Sequence, residues 1–221
     1  MDLNQKFFLI KNVNEISKKL YNLIENPSYK NKEFPKRTAN KKLVLYFSYL
    51  FGLRISEALI DLNNLYVRLQ QKNDNGLKYY SLRSVNLKQK FKKEKTVVFV
   101  PYDEYESRMM IFIENNYYVG ITKNLTRYSI VKFCERHLVD NFIGYNREGY
   151  EVVQKSYLNP HTLRHLRAYV LLERYRDPDL VRRMLGWSDE RMLYYYTRLA
   201  QSIEEREIER KVLSYFKKAK A

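Results

Sequence analysis

The sequence predicts an α+β fold, mainly α-helical, with a small antiparallel β-sheet. Three observations predict it. Most stretches carry apolar residues at helical spacing. Only residues 65–101 change character, to alternating β-branched and aromatic residues. Breaks at Asn26-Pro27, Gly52 and Asp177-Pro178 divide the helical pattern into separate pieces.

Residues 1–35 read as an N-terminal helical extension, in which FFLIKNVNEISKKLYNLI is weakly amphipathic and Asn26-Pro27 ends the pattern. A basic segment at 30–42 surrounds Pro35. KKLVLYFSYLFGLRISEALI reads as a largely buried helix turned near Gly52, with Arg54 just past the turn. An arginine among Leu53, Ile55 and Leu59 is costly to bury without a partner. Glu57, three residues on, can pair with it, and taken alone the two would be a structural ion pair.

KYYSLRSVNLKQ and KTVVFVP predict the two strands of a hairpin, with QKFKKEK presenting lysines at its tip. Residues 102–119 and 125–141 carry helical periodicity, with Thr126 or Asn124 as the cap of the second. IGYNREGYEVVQKSYLN reads as a loop or short hairpin. Pro160 suits the first turn of the next helix. There His161, Arg164 and His165 stand at i, i+3 and i+4 and can converge on one spot. Asp177 caps DPDLVRRMLGW with Pro178 at its first position. Ser188 is the expected cap of SDERMLYYYTRL, which carries Tyr194, Tyr195 and Tyr196. A helical tail over 200–221 bears an apolar stripe of Ile203, Ile208, Val212, Leu213 and Phe216.

Lys and Arg number 41 against 25 Asp and Glu, a formal charge of +16. A surface that basic favours a polyanion, most simply nucleic acid. One cysteine, Cys134, excludes a disulfide framework within the chain and any multi-cysteine zinc site, and reads as a buried small apolar residue. No signal peptide or long apolar run is visible, so the expected location is intracellular: the cytoplasm of a prokaryotic host, in association with the nucleoid.

The stretch from His161 to Arg198 resembles the C-terminal signature of the tyrosine recombinases, the phage-integrase and Xer-type proteins. Its parts are His161 and Arg164 as His-x-x-Arg, then Leu185-Gly186-Trp187, then Tyr196-Thr197. Upstream, GLRISEAL holds the family's first arginine at Arg54. Each piece alone is weak; all of them in order, at family-like spacing, make a specific signal. The resemblance covers nearly the whole chain from about residue 10 onward. It implies a single tyrosine recombinase catalytic domain over 1–221, without a complete core-binding domain, since only 53 residues precede Arg54.

By resemblance, Arg54 and Arg164 bind the phosphate, and His161 and Trp187 support it. Trp187 stands where histidine is more common; its indole N–H can donate a hydrogen bond but cannot shuttle a proton. Tyr196, nine residues after Trp187, is the nucleophile, and Tyr194 and Tyr195 fit less well. Glu57 orients Arg54. His165 either orients its neighbours, helps take the phenol proton, or simply packs in the core. Matching the family's Gly-Lys-Gly-x-Lys-Glu-Arg turn to residues 89–95 puts the proton-donating lysine at Lys90, with Lys88, Lys92 and Lys93 still open because both glycines are absent.

These residue types suit strand transfer. A phenol with an ordinary pKa near ~10 must lose its proton inside the site. Two planar, permanently charged guanidiniums can grip the non-bridging oxygens as charge builds. The phosphotyrosine conserves the bond energy, so neither cofactor nor metal is needed. The resemblance thus implies a site-specific recombinase, such as the integrase of a virus or mobile element, acting on double-stranded DNA. It also implies dimers or tetramers on DNA, with the C-terminal segment as a contact. Alternatives are a type IB topoisomerase, a telomere resolvase, or a non-catalytic basic DNA-binding protein.

Overall fold

In the computed structural model the described residues are 9–10, 15–25, 35–63, 69–85, 94–116, 125–145, 150–158, 160–187, 201, 205 and 208. The elements run β1 (Leu9–Ile10), α1 (Ile16–Glu25), α2 (Pro35–Leu50), α3 (Ile55–Asn63), β2 (Leu69–Asp74), β3 (Leu77–Val85), β4 (Glu94–Phe99), α4 (Glu104–Asn116), α5 (Arg127–His137), β5 (Val139–Tyr145), β6 (Glu151–Tyr157), α6 (Pro160–Tyr175) and α7 (Pro178–Met184). The expected α+β architecture, mainly helical with small antiparallel sheets, is present.

Helix α2 is the axis of the core. Every residue from Leu43 to Phe51 is buried, so the helix is apolar all round and must be surrounded. Ile16, Leu20 and Ile24 of α1, Met109, Met110 and Ile113 of α4, and Leu163, Leu166 and Val170 of α6 pack in the same cluster. Leu82, Val97 and Phe99 close it from the sheet β2-β3-β4. A smaller cluster joins α6 to α7 through Ala168, Leu171, Val181, Leu185 and Trp187.

The sheet β2-β3-β4 is antiparallel throughout, with Leu69 opposite Leu82 and Ser84 opposite Lys95. Its first turn is Asn75-Gly76, with φ of 49° and 86°, the left-handed pair that a tight two-residue hairpin requires. Thr126 caps α5, exchanging hydrogen bonds with Ser129. Asp177 caps α7 ahead of Pro178, as the sequence implied. Cys134 is buried, and burial pushes its thiol well above the ordinary range. No helix among the described residues is long and apolar enough to cross a membrane.

Two segments differ from the sequence reading. The helical pattern of residues 1–35 is interrupted: Leu9–Ile10 is a strand pairing with Gly144 and Tyr145, and among the described residues before Pro35 the α-helix is Ile16–Glu25. The helix expected over 125–141 stops at His137, and residues 139–145 turn into β5, paired along its length with β6. The cross-strand partner decides this, because Phe142 is buried while Ile143 lies outward opposite Val153, a period of two. For the segment 143–159 the short-hairpin alternative holds among the described residues, where β5 and β6 pair antiparallel.

Candidate active site

Gly52 creates the site by ending α2. At φ +58° it adopts the left-handed conformation, and a Cβ there would meet Leu185 Cδ2 at 2.6 Å, so glycine is required twice over. The turn leaves Arg54 as the N-cap of α3, with Glu57 at the third helical position. Glu57 reaches back to accept the Arg54 backbone N–H on Oε2 at 3.0 Å, as the third residue of a capping box does. The same carboxylate accepts from Arg54 Nη1 on Oε1 at 2.7 Å. One buried acid therefore caps the helix and aims the arginine.

Two further cations meet Glu57 from distant parts of the chain. Lys95 of β4 donates from Nζ to Oε2 at 3.1 Å. Arg164 of α6 approaches Oε2 to 3.6 Å and donates from Nη1 to the Gly52 carbonyl at 2.5 Å. The buried Gly52 carbonyl at the α2–α3 break is thus the anchor of the second arginine. Burial alone would raise the Glu57 pKa, but Lys95, the Arg54 amide and the two guanidiniums outweigh it and hold the carboxyl below its ordinary value. It stays an anion, as an orienter of arginines must.

Helix α7 ends in a Schellman turn. The Gly186 N–H donates to the Arg183 carbonyl and the Trp187 N–H to the Arg182 carbonyl, with Gly186 at φ +60°. This finish lays the Trp187 ring under Arg164, whose Cζ lies 4.3 Å from the ring centroid. The indole Nε1 is buried and has no hydrogen-bond partner among the described residues. On α6, His161 and His165 stand one turn apart with their Nε2 atoms 2.9 Å from each other and their rings edge to face.

Arg54, Glu57, Arg164 and Trp187 are therefore brought together, and His161 and His165 share the helical turn that carries Arg164. Lys88, Lys90, Lys92 and Lys93, and Tyr194, Tyr195 and Tyr196, lie outside the described residues. Sequence reasoning missed Lys95, assigned only to a lysine-rich tip. Its signal was available: in the alternation of β4 it shares a face with the buried Val97 and Phe99. Burial lowers its pKa to about 8; Glu57 opposes the fall, and Arg164 and Arg54 add to it.

Chemically, the cluster gathers three cations on one buried carboxylate, with a tryptophan N–H donor beside them. Arg54, 28% exposed, suits an anion arriving from solvent, while Lys95 and Arg164 are buried behind it. Residues 15–202 match the model of the phage integrase family. Among solved structures the chain is similar to XerH site-specific recombinase bound to difH substrate in a pre-cleavage complex, at 21% identity and a TM-score of 0.51, over 86% of this chain and 51% of that one. It is also similar to XerH bound to palindromic difH substrate in a post-cleavage complex, at 21% identity and a TM-score of 0.55, over 88% of this chain and 51% of that one. The chain thus spans about half the length of the recombinases it matches and shares the fold of that part. None of the curated proteins compared matches it significantly.

Proposed function

Since the chain belongs to the phage integrase family, we propose that it is a site-specific tyrosine recombinase that cuts and rejoins double-stranded DNA through a 3′-phosphotyrosine. The observation that carries this reading is the convergence of Arg54 and Arg164, 110 residues apart, on the single buried carboxylate of Glu57. Residues 1–221 act as the catalytic unit, and the +16 charge draws in the duplex.

In the cleavage step the Tyr196 oxygen, having given its proton to a base in the site, attacks the scissile phosphorus. A phosphotyrosine bond forms and the bond to the 5′-oxygen breaks. Arg54 and Arg164 hold the non-bridging oxygens, Trp187 Nε1 donates to one of them, and His161 supports that grip, with His165 beside it. Lys90 supplies the proton that the departing 5′-oxygen takes up. Rejoining reverses these steps with a 5′-hydroxyl of another strand. Assembly on DNA into dimers or tetramers uses the C-terminal tail, where Ile208 is exposed. The setting is the cytoplasm of a prokaryotic host.

The test is a nicked suicide duplex incubated with protein and resolved on a denaturing gel, with Tyr194→Phe, Tyr195→Phe and Tyr196→Phe beside the wild type. A covalent adduct lost only in Tyr196→Phe is the expected result. An adduct that survives in Tyr196→Phe moves the nucleophile to a neighbour. Binding without any adduct, on a verified target site, overturns the enzymatic reading.

A further inference from the structure

Glu57 offers two oxygens, and their occupancy is uneven. Oε1 takes Arg54 Nη1, while Oε2 already takes two donors, the Arg54 amide at 3.0 Å and Lys95 Nζ at 3.1 Å. Arg164 Nη1 stands 3.6 Å from that same Oε2, beyond hydrogen-bond range. The molecule holds its own control. Glu106, the other deeply buried glutamate among the described residues, has no lysine partner among them, and there both arginines close to bonding distance, Arg167 at 2.6 Å and Arg174 at 2.9 Å.

We propose that Lys95 is a positioning residue that keeps the Arg164–Glu57 ion pair long, so that the guanidinium turns to the substrate phosphate instead of hydrogen-bonding the carboxylate. The inference rests on the recombinase reading for the phosphate and on the contacts of Glu57, Lys95 and Arg164 for the rest. Lys95 can do this because it cannot leave. Its side chain is 7% exposed, and the Gly186 turn packs against its stem so closely that a Cβ at Gly186 would lie 3.0 Å from Lys95 Cδ. The charged groups facing it are Glu57 and Arg54 from α3 and its cap and Arg164 from α6; α7 contributes only the Gly186 turn, and β3 sets Ser84 across the ladder. The ammonium therefore competes with Arg164 for one oxygen, with the Gly52 carbonyl and the Trp187 face holding the arginine in its alternative place.

The role needs the charged amine. With a pKa of about 8, Lys95 is an ammonium below that pH and loses its proton as pH rises through it. Arginine at this position stays charged throughout. The experiment is a crystal structure of Lys95→Met together with single-turnover cleavage by wild type, Lys95→Met and Lys95→Arg between pH 6.5 and 9.5, a range set about one unit or more either side of the Lys95 value.

In Lys95→Met, Arg164 is expected to close on Glu57 to bonding distance, and cleavage at saturating DNA to fall by about 10²-fold, as when one charge-stabilising donor is lost. Wild-type cleavage is expected to decline above pH ~8, and Lys95→Arg should restore most of the loss seen in Lys95→Met and abolish that decline. An unchanged Arg164–Glu57 separation in Lys95→Met overturns the proposal, as does wild-type cleavage by that variant. If Lys95→Met does not fold, Lys95→Arg decides: a pH profile identical to wild type overturns it, a flattened alkaline side supports it. Absence of any adduct from wild type would sink the recombinase reading separately, which the crystallographic distance does not depend on.

Discussion

Helix α6 serves two buried glutamates that look alike and do different things. Toward its start, Arg164 meets Glu57; further along, Arg167 and Arg174, seven residues apart on one face, meet Glu106. Both carboxylates are fully buried, and both stay below their ordinary pKa against the burial that would raise them, Glu57 through Lys95 first and then the Arg54 amide and two guanidiniums, Glu106 through Arg167 and Arg174. At Glu106 both arginines donate from Nη1 to one carboxylate oxygen, while Arg167 Nε and Arg174 Nε are buried with no hydrogen-bond partner among the described residues. Arg167 lies against the Tyr49 and Phe99 rings, Ser17 links the carboxylate to Tyr49, and burial lifts the Tyr49 phenol to about 12. At Glu57 one arginine is partly in solvent, one stands beyond bonding distance, and an indole donor has no partner among the described residues. A cluster of buried charge is structural when its partners close on one another, and functional when the fold keeps them from doing so.

The largest effect should come from breaking the structural member. Glu106→Gln leaves Arg167 and Arg174 buried beside a neutral amide, and severing a buried pair typically costs about 3–5 kcal/mol. At roughly 2–4 °C per kcal/mol for a chain of this size, the melting temperature should drop by about 6–20 °C. Cleavage per folded molecule should stay near wild type, measured well below the new midpoint. A variant that melts normally yet cleaves poorly would erase the distinction between the two clusters.

Arg54→Ala should show the reverse. Solvent already reaches this side chain, so its pairing with Glu57 contributes less to stability than a sealed pair would, and the melting temperature should move by only a few degrees, on the order of 1–2 kcal/mol. Cleavage should fall by about 10²–10³, the usual result of losing one donor to a charge that develops in the transition state. Equal losses of stability and rate would place Arg54 with Arg167 among the structural arginines.

The difference between these clusters explains what the sequence could and could not say. Arg54, Glu57, His161, Arg164 and Trp187 were legible because capping, helical spacing and the Leu-Gly-Trp finish are local and leave fixed offsets. The break at Gly52 was legible for the same reason. Glu106 with Arg167 and Arg174 was not, since a carboxylate on α4 and two arginines on α6 become partners only when α2 packs between the helices. Lys95 was overlooked among its lysine neighbours, although strand alternation already turned it inward. The Asn75-Gly76 turn and the strand at Leu9–Ile10 are further cases: the first joins β3 to a preceding strand, β2, whose polar residues carry no alternation to read, and the second is a strand only because β5 is there to receive it.

The smallest effect, and the sharpest, concerns Trp187. Its ring supports Arg164 and its N–H is buried without a protein acceptor among the described residues, a cost that a packed core would normally avoid. Phenylalanine keeps an aromatic face under the guanidinium and removes the stranded donor. Trp187→Phe should therefore melt at or slightly above the wild-type temperature while cleaving about tenfold more slowly, the ~1.4 kcal/mol expected of one modest hydrogen bond made only with substrate. Trp187→His restores a donor on a smaller ring and should recover part of the rate. Stability and activity then move in opposite directions at a single residue, which is what a donor reserved for the phosphate requires. A Trp187→Phe protein that loses stability and keeps its rate would make the tryptophan a packing residue of the α6–α7 cluster and nothing more.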